Sequence, residues 1–311
     1  MEDYNTKQQQ TYKHFNNRKW FAGGVCLSTA KLDGKVAVIT GANTGIGKET
    51  ARDLARRGAR VILACRDTAK GEAAAQEIRK ETCNEQVIVK KLDLSDTKSI
   101  RKFADDFLKE EDSLHILINN AGVMMFPYSN TVDGFEMHLG VNHLGHFLLT
   151  FLLLDCLKKS APARIVVVSS VIHIFARINF QNLQSEKYYH GGLAYCQSKL
   201  ANILFTKELA RRLQGTGVTA NVLHPGVIQS DLTRYSSTLK CLEILTCFMW
   251  KTTKEGAQTS IYCAVAEELE SVSGVYFSDC KPAWVAPQSC NEDTAKKLWA
   301  VSCDLVGIKW D

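Results

Sequence analysis

One segment limits this chain more than any other. A short β-branched run over 35–40 leads straight into Thr40-Gly41-Ala42-Asn43-Thr44-Gly45-Ile46-Gly47, and an amphipathic helical pattern follows over 46–57. Glycines let a backbone turn tightly and come close to an anion. The N-terminus of the helix that follows offers free N–H groups and a partial positive charge. A glycine pattern gains weight when a strand precedes it and a helix follows, as here. Gly41, Ala42, Asn43, Thr44, Gly45, Ile46 and Gly47 are therefore expected to cradle the pyrophosphate of a dinucleotide.

The rest of the chain continues the alternation. Strand patterns lie at 60–65, 86–92, 115–118, 164–169, 218–223 and 275–277. Helical patterns lie at 68–80, after a cap at Ser95 or Asp96, at about 132–157, and at 193–213, 255–268 and 293–303. Alternation of this kind implies an α/β fold, a doubly wound parallel sheet with helices on both faces. With five prolines and no Pro- or Ser-rich linker, one domain over 31–311 is expected after a polar tail over 1–30.

Composition removes several function classes. A chain with 45% hydrophobic and 23% charged residues builds a core without disulfide staples. The eleven cysteines form no C-x-x-C pair, which excludes zinc-ribbon and thioredoxin-type readings and points to reduced thiols facing the cytosol. The net charge of +5 is not gathered into a run of like charges, so no nucleic-acid partner is expected. No stretch has the roughly eighteen uninterrupted apolar residues of a spanning helix. The first twenty residues lack an apolar signal region.

The end of the second strand selects the cofactor. Folds specific for NAD place an acid there to bind the ribose hydroxyls. This strand ends Ala64-Cys65-Arg66, and a planar guanidinium suits a phosphate. Arg66 is therefore expected on the 2′-phosphate of NADP(H); a surface arginine pairing with Asp67 or a helix acid is the alternative.

Tyr195-Cys196-Gln197-Ser198-Lys199 puts a phenol and an ammonium on one helix face. A tyrosine near pKa 10 is a poor acid at neutral pH, and a neighbouring cation lowers that value. Tyr195 is then a candidate proton donor to a carbonyl oxygen, with Lys199 holding the nicotinamide ribose. Ser169 and Ser170 end a buried strand at the sheet edge where ligands bind. Ser170 is chosen to hydrogen-bond the substrate oxygen, while Ser169 merely ends the strand. Asn142 sits inside the long helix, where an amide is a poor helix former, and is expected to hold a proton-relaying water. Asn119-Asn120-Ala121-Gly122 ends the fourth strand beside the cofactor.

Together these motifs resemble the short-chain dehydrogenase/reductase family. The carriers are T-G-x-x-x-G-I-G, N-N-A-G, Asn142, Ser170, Tyr195 with Lys199, and His224-Pro225-Gly226, spread over about 35–230. The resemblance implies a Rossmann fold, a nicotinamide cofactor and an Asn-Ser-Tyr-Lys tetrad. It also implies that Asp93 and Leu94 flank the adenine and that Ser230 lies near the nicotinamide amide, with Asn120, Ala121, Gly122, Pro225 and Gly226 among the cofactor-binding residues. Longer stretches, among them G-V-N-H-L-G-H-F-L-L-T and A-Y-C-Q-S-K-L-A-N-I-L-F-T, are similar to the subgroup of retinol dehydrogenases 11 to 14. That subgroup implies NADPH-dependent reduction of all-trans-retinal and related lipophilic aldehydes at the cytosolic face of the endoplasmic reticulum membrane. It also carries an insert between the serine and the tyrosine, present here over about 178–192. The chain departs from it in a polar N-terminus and in the apolar run Ile172-His173-Ile174-Phe175.

Other features fit more than one role. The apolar stretch 239–250 is either a lid that also dips into a membrane surface or a packed helix. Met124, Met125 and Phe126 line the substrate pocket or belong to the core. His138, His143 and His146 lack an acid or cysteine to complete a metal set, so no metal is expected. The alternatives to a retinoid reductase are a steroid or lipid-ketone reductase, a cytoplasmic location, and a silent NADP-binding scaffold. The intact tetrad argues against silence.

Overall fold

The computed structural model describes residues 23–228 and 251–310. Eight strands form one sheet: β1 (Val36–Thr40), β2 (Arg60–Cys65), β3 (Val87–Lys91), β4 (Ile116–Asn119), β5 (Ala163–Val168), β6 (Val218–His224), β7 (Tyr276–Ser278) and β8 (Lys281–Pro282). Their spatial order is β3-β2-β1-β4-β5-β6-β7-β8. All neighbours run parallel except β7 and β8, which pair antiparallel. The order reverses between β1 and β4. The carboxyl ends of those strands therefore open a crevice, which is where such sheets bind ligands.

Side-chain alternation divides the core. Val36 and Val38 of β1 pack on one face, and Ala37 and Ile39 on the other. The second face is covered by α1 (Gly45–Arg56), α2 (Thr68–Thr82) and α6 (Thr253–Val265). The first is covered by α3 (Thr97–Glu110), α4 (Gly145–Lys159), α5 (Gly191–Arg212) and α7 (Glu292–Val306). The inner strands β1, β2, β4, β5 and β6 are thus buried on both faces and read as near-continuous apolar runs, whereas β3 is only partly buried and β8 is exposed.

The helix expected from about 132 begins later. Residues 131–136 form a turn with Gly134 at φ +88°, and Asn130 bridges Glu136. The side chain of Glu136 then caps the next turn by accepting from the backbone N–H groups of His138 and Leu139 at 2.9 and 2.8 Å. An apolar pattern alone does not show where such a cap falls. Six residues, Leu139–Leu144, form a π-turn that runs into α4. Leu139–Lys159 is long and apolar enough to cross a membrane, but 83% of its 18-residue apolar window is buried inside the protein. Its apolar surface is used in packing against the sheet. The antiparallel β8 and the 3-10 turn Val171–Phe175 were not read from the sequence.

Residues 23–30 are fastened to this body. Cys26 N–H donates to Gln258, and the Arg57 guanidinium donates to the carbonyls of Ser28 and Ala30. The nine cysteines among the described residues are all free, so burial rather than cross-linking holds these elements together.

Candidate active site

The turn after β1 is shaped by backbone constraints. Gly41 has φ +66° and Gly45 φ +59°, both in the left-handed region that glycine tolerates. A Cβ at Gly47 would lie 2.5 Å from the Asn120 amide nitrogen and 2.7 Å from the Gly41 carbonyl. That position admits no side chain. Gly41 N–H donates to Ala64 of β2, which ties the turn to the sheet. Among the described residues no side chain caps the first turn of α1, which suits a pyrophosphate there.

The turn also rests on β4. Asn120 and Ala121 N–H both donate to Thr40 Oγ1 at 2.9 Å, and the Asn120 side chain donates to the Thr40 carbonyl at 2.8 Å. Thr40 Oγ1 also lies 2.8 Å from His146 Nε2, and His146 Nδ1 lies 3.1 Å from the Asn142 carbonyl. The carbonyl only accepts, so Nδ1 carries the proton and Nε2 accepts from the threonine. Burial holds His146 neutral, down to about 4, and the nearby Lys199 charge adds to this. His146 thus joins the cofactor turn to the π-turn. The sequence placed His146 only as a packed or exposed residue, because its partner Thr40 is 106 positions away.

Ser170, Tyr195 and Lys199 meet at the carboxyl end of β5, and Asn142 stands beside Lys199. The Ser170 hydroxyl stands close enough to the Tyr195 phenol to pull its pKa down. Lys199 Nζ sits 5.7 Å from the centre of the Tyr195 ring and donates to the Val168 carbonyl at 3.1 Å. Burial lowers the Lys199 ammonium to about 8. Burial also pushes the Tyr195 phenol up, against the pull of Ser170, and outweighs the lowering that the neighbouring ammonium was expected to give. The phenol is therefore held in its proton-donating form. Ser169 instead donates to the Lys199 carbonyl at 2.7 Å and fixes α5 against β5.

Asn142 makes three side-chain hydrogen bonds. Its amide donates to the Val123 carbonyl and to Ser198 Oγ, and accepts from Val123 N–H at 2.8 Å. Asn142 clamps the strap after β4 against α5. Gly122 passes between Asn142 and Lys199: a Cβ there would be 3.3 Å from Asn142 Oδ1 and 3.5 Å from Lys199 Nζ.

The remaining candidates ring the crevice. Arg66 is exposed at the end of β2, with no ion pair among the described residues. Asp67 caps α2 through Lys70 N–H at 3.0 Å, which leaves the guanidinium available. Asp93 accepts from the backbone and the hydroxyl of Ser95, and Leu94 is buried against α4. After β6, Pro225 leads to Gly226, with φ +100°. The Lys251 side chain lies over Gly226 and pairs with Asp279. Met124, Met125 and Phe126 are half-buried in the strap. Ser230 and the stretch 239–250 lie outside the described residues. Among the described residues no cluster of His, Cys, Asp or Glu could hold a metal ion.

A second network was missed by sequence reasoning. Glu136 and His138 are both buried, and Glu136 Oε1 lies 2.7 Å from His138 Nδ1. An acid two residues before a histidine is a weak signal, since such pairs are usually exposed.

Known proteins resemble the chain along nearly its whole length. The family model described as short chain dehydrogenase matches residues 35–240. Retinol dehydrogenase 12 of Homo sapiens is 67% identical over 294 residues, covering 94% of this chain and 93% of that protein. Retinol dehydrogenase 11 of Mus musculus is 66% identical with the same coverage. Among solved structures, an uncharacterized protein from Mycobacterium paratuberculosis is 38% identical with a TM-score of 0.77, covering 93% of this chain and 99% of that one. The RhlG/NADP active-site complex of Pseudomonas aeruginosa is 27% identical with a TM-score of 0.65, covering 79% and 95%. With the glycine turn, the reversed strand order and the Ser-Tyr-Lys cluster in place, this chain belongs to the short-chain dehydrogenase family of oxidoreductases.

Proposed function

We propose that the chain is an NADPH-dependent carbonyl reductase acting on all-trans-retinal and related lipophilic aldehydes. The observation that carries the reading is a buried, neutral Tyr195 phenol beside Ser170 and adjoining Lys199 at the switch crevice. Gly41 to Gly47 and the start of α1 suit the pyrophosphate, and Arg66 suits the 2′-phosphate. Asp93 and Leu94 would flank the adenine. Asn120 to Gly122, Pro225 and Gly226 would border the nicotinamide, and Lys199 would hold its ribose. NADPH bound there supplies the hydride.

The chain's own groups do the rest. Ser170 and Tyr195 hydrogen-bond the carbonyl oxygen and stabilise the negative charge that develops on it. Tyr195 donates its proton to that oxygen. The tyrosinate left behind is stabilised by the Lys199 ammonium. The retinoid preference is supported by the relatives named retinol dehydrogenase and by the apolar strap.

We place the protein at the cytosolic surface of the endoplasmic reticulum membrane. Phe175 and Trp284 are 71% and 70% exposed, and Arg177 and Lys281 beside them are exposed too. Aromatic rings with nearby cations suit an anionic lipid surface. Loss of vesicle cosedimentation in a Phe175→Ser, Trp284→Ser double variant is the expected outcome; cosedimentation equal to wild type would remove this placement.

The test of the main reading is NADPH oxidation by purified protein with all-trans-retinal, a steroid ketone and nonanal, with NADH in parallel. Retinal turnover with NADPH preferred is expected. Activity confined to the steroid would move the substrate assignment to a lipid ketone. No turnover with tight NADPH binding would leave a cofactor-binding scaffold.

A further inference from the structure

The strap after β4 is held in place by groups that do not themselves touch the reacting atoms. Glu136 is a buried carboxylate that accepts from two backbone N–H groups and from the His138 ring. A carboxylate only accepts, so His138 Nδ1 carries the proton. Its Nε2 is left as an acceptor, and Phe126 N–H donates to it at 3.2 Å. The Phe126 carbonyl accepts from the Tyr189 hydroxyl. Phe126 is thus gripped at both its backbone N–H and its carbonyl, from the start of the π-turn and from the insert before α5. Gln184 of that insert also accepts from Glu136 N–H at 3.0 Å.

The grip fixes an unusual conformation. Met125, between the bonded residues Val123 and Phe126, has φ +52°, a region that side-chain-bearing residues rarely adopt. Such a conformation persists where its surroundings over-determine it. Met125 Sδ lies 3.7 Å from where a Gly192 Cβ would stand, on the first turn of α5. Tyr195 follows one turn later, its ring 6.1 Å from that of His138. The strap therefore runs from Gly122 beside Lys199 to the helix that presents Tyr195, with two methionines and a phenylalanine along it.

We infer that Glu136, His138 and Tyr189 are positioning residues that hold the Met124–Met125–Phe126 strap as one wall of the carbonyl pocket, and so select extended lipophilic aldehydes over short ones. This rests on the proposed carbonyl-reductase reading. A short aldehyde reaches Ser170 and Tyr195 without using the wall. A long one gains binding only if the wall stands still.

The experiment uses the full chain loaded with NADPH and two variants, Tyr189→Phe and His138→Phe. The first removes a single hydroxyl from a half-buried ring, so it tests the idea even if the second fails to fold. Two quantities are read: the ratio of kcat/KM for all-trans-retinal to that for pentanal, and amide hydrogen exchange of the strap. One neutral hydrogen bond corresponds to about tenfold in an equilibrium, so Tyr189→Phe should lower the ratio and speed strap exchange by about tenfold each. His138→Phe should do more, with NADPH affinity held in both. Equal loss on both aldehydes, or unchanged strap exchange in Tyr189→Phe, overturns the inference. A wild type that reduces pentanal but not retinal overturns the substrate reading alone; strap exchange, and the ratio for nonanal against pentanal, then decide the positioning role.

Discussion

The two sides of the crevice are built in different ways. The cofactor side is contiguous: eight residues from Thr40 to Gly47 form a turn whose shape follows from two left-handed glycines and one close approach. The substrate side is assembled from pieces distant in the chain. Its strap is held by Asn142, His138 and Tyr189, and its hydroxyls come from the end of β5 and the N-terminal turns of α5. A contiguous site is set by backbone geometry, and an assembled one by side-chain hydrogen bonds. The first should therefore tolerate few substitutions and bind one kind of ligand. The second should change preference through residues that touch no substrate.

The largest expected effect separates the two sides cleanly. Tyr195→Phe removes the proton donor and should lower kcat by about a thousandfold, within the usual range for general acid catalysis. NADPH affinity, measured by fluorescence titration, should be kept. A parallel loss of affinity would show that the sides are not separable.

The next effect concerns what joins them. Burial holds His143 and His146 neutral, down to about 3 and about 4. Both bind fewer protons folded than unfolded, so their contribution is fully present above about pH 6.5 and is lost as pH falls toward 4. The loss amounts to about 3 kcal/mol for each at pH 4. Urea unfolding across this range should show it, and His146→Gln should flatten part of the slope. A slope equal to wild type would mean that His146 does not stay neutral.

Arg66→Ala should sharpen the cofactor side alone. A charged hydrogen bond contributes about 1.5–3 kcal/mol, so NADPH affinity should fall by roughly ten- to a hundredfold while NADH turnover holds. An unchanged NADPH Kd would return Arg66 to the surface. The smallest effect is in pH dependence. Burial lowers Lys199 to about 8, so kcat/KM for reduction should be level below that value and fall about tenfold per unit above it as the ammonium loses its proton. Lys199→Arg, if active, should lose that limb.

The cofactor side was legible in the sequence for the same reason that it is contiguous. Glycine spacing, strand and helix all lie within a few residues, and the strands and their order of alternation followed from apolar runs. Tyr195 and Lys199 were visible because one helical turn brings them together. Ser170 could be chosen over Ser169 on position, and the structure shows why the two differ: Ser169 Oγ is spent on the Lys199 carbonyl. His146, Glu136 and Tyr189 were not visible as partners. Their contacts span 106, 2 and 63 positions, and the short one is hidden because only burial distinguishes it from a surface pair. The late start of the long helix was missed for a related reason, since apolar periodicity does not reveal a side-chain cap.

The π-turn before α4 has a consequence for rotation. There the Gly145 N–H reaches back five residues to the Gly140 carbonyl, one more than an α-helix allows. The segment thus carries one surplus residue in an otherwise tightly packed rod. Removing it would turn everything on one side by about 100° relative to the other, the angle of a single α-helical step. The apolar flank would still find the sheet, because α4 is apolar nearly all round. Asn142 would swing away from Val123 and Ser198, and the strap would lose its inner anchor. A single-residue deletion within 139–144 is thus the smallest change in chain length that could keep the scaffold folded and disconnect its two ligand sides.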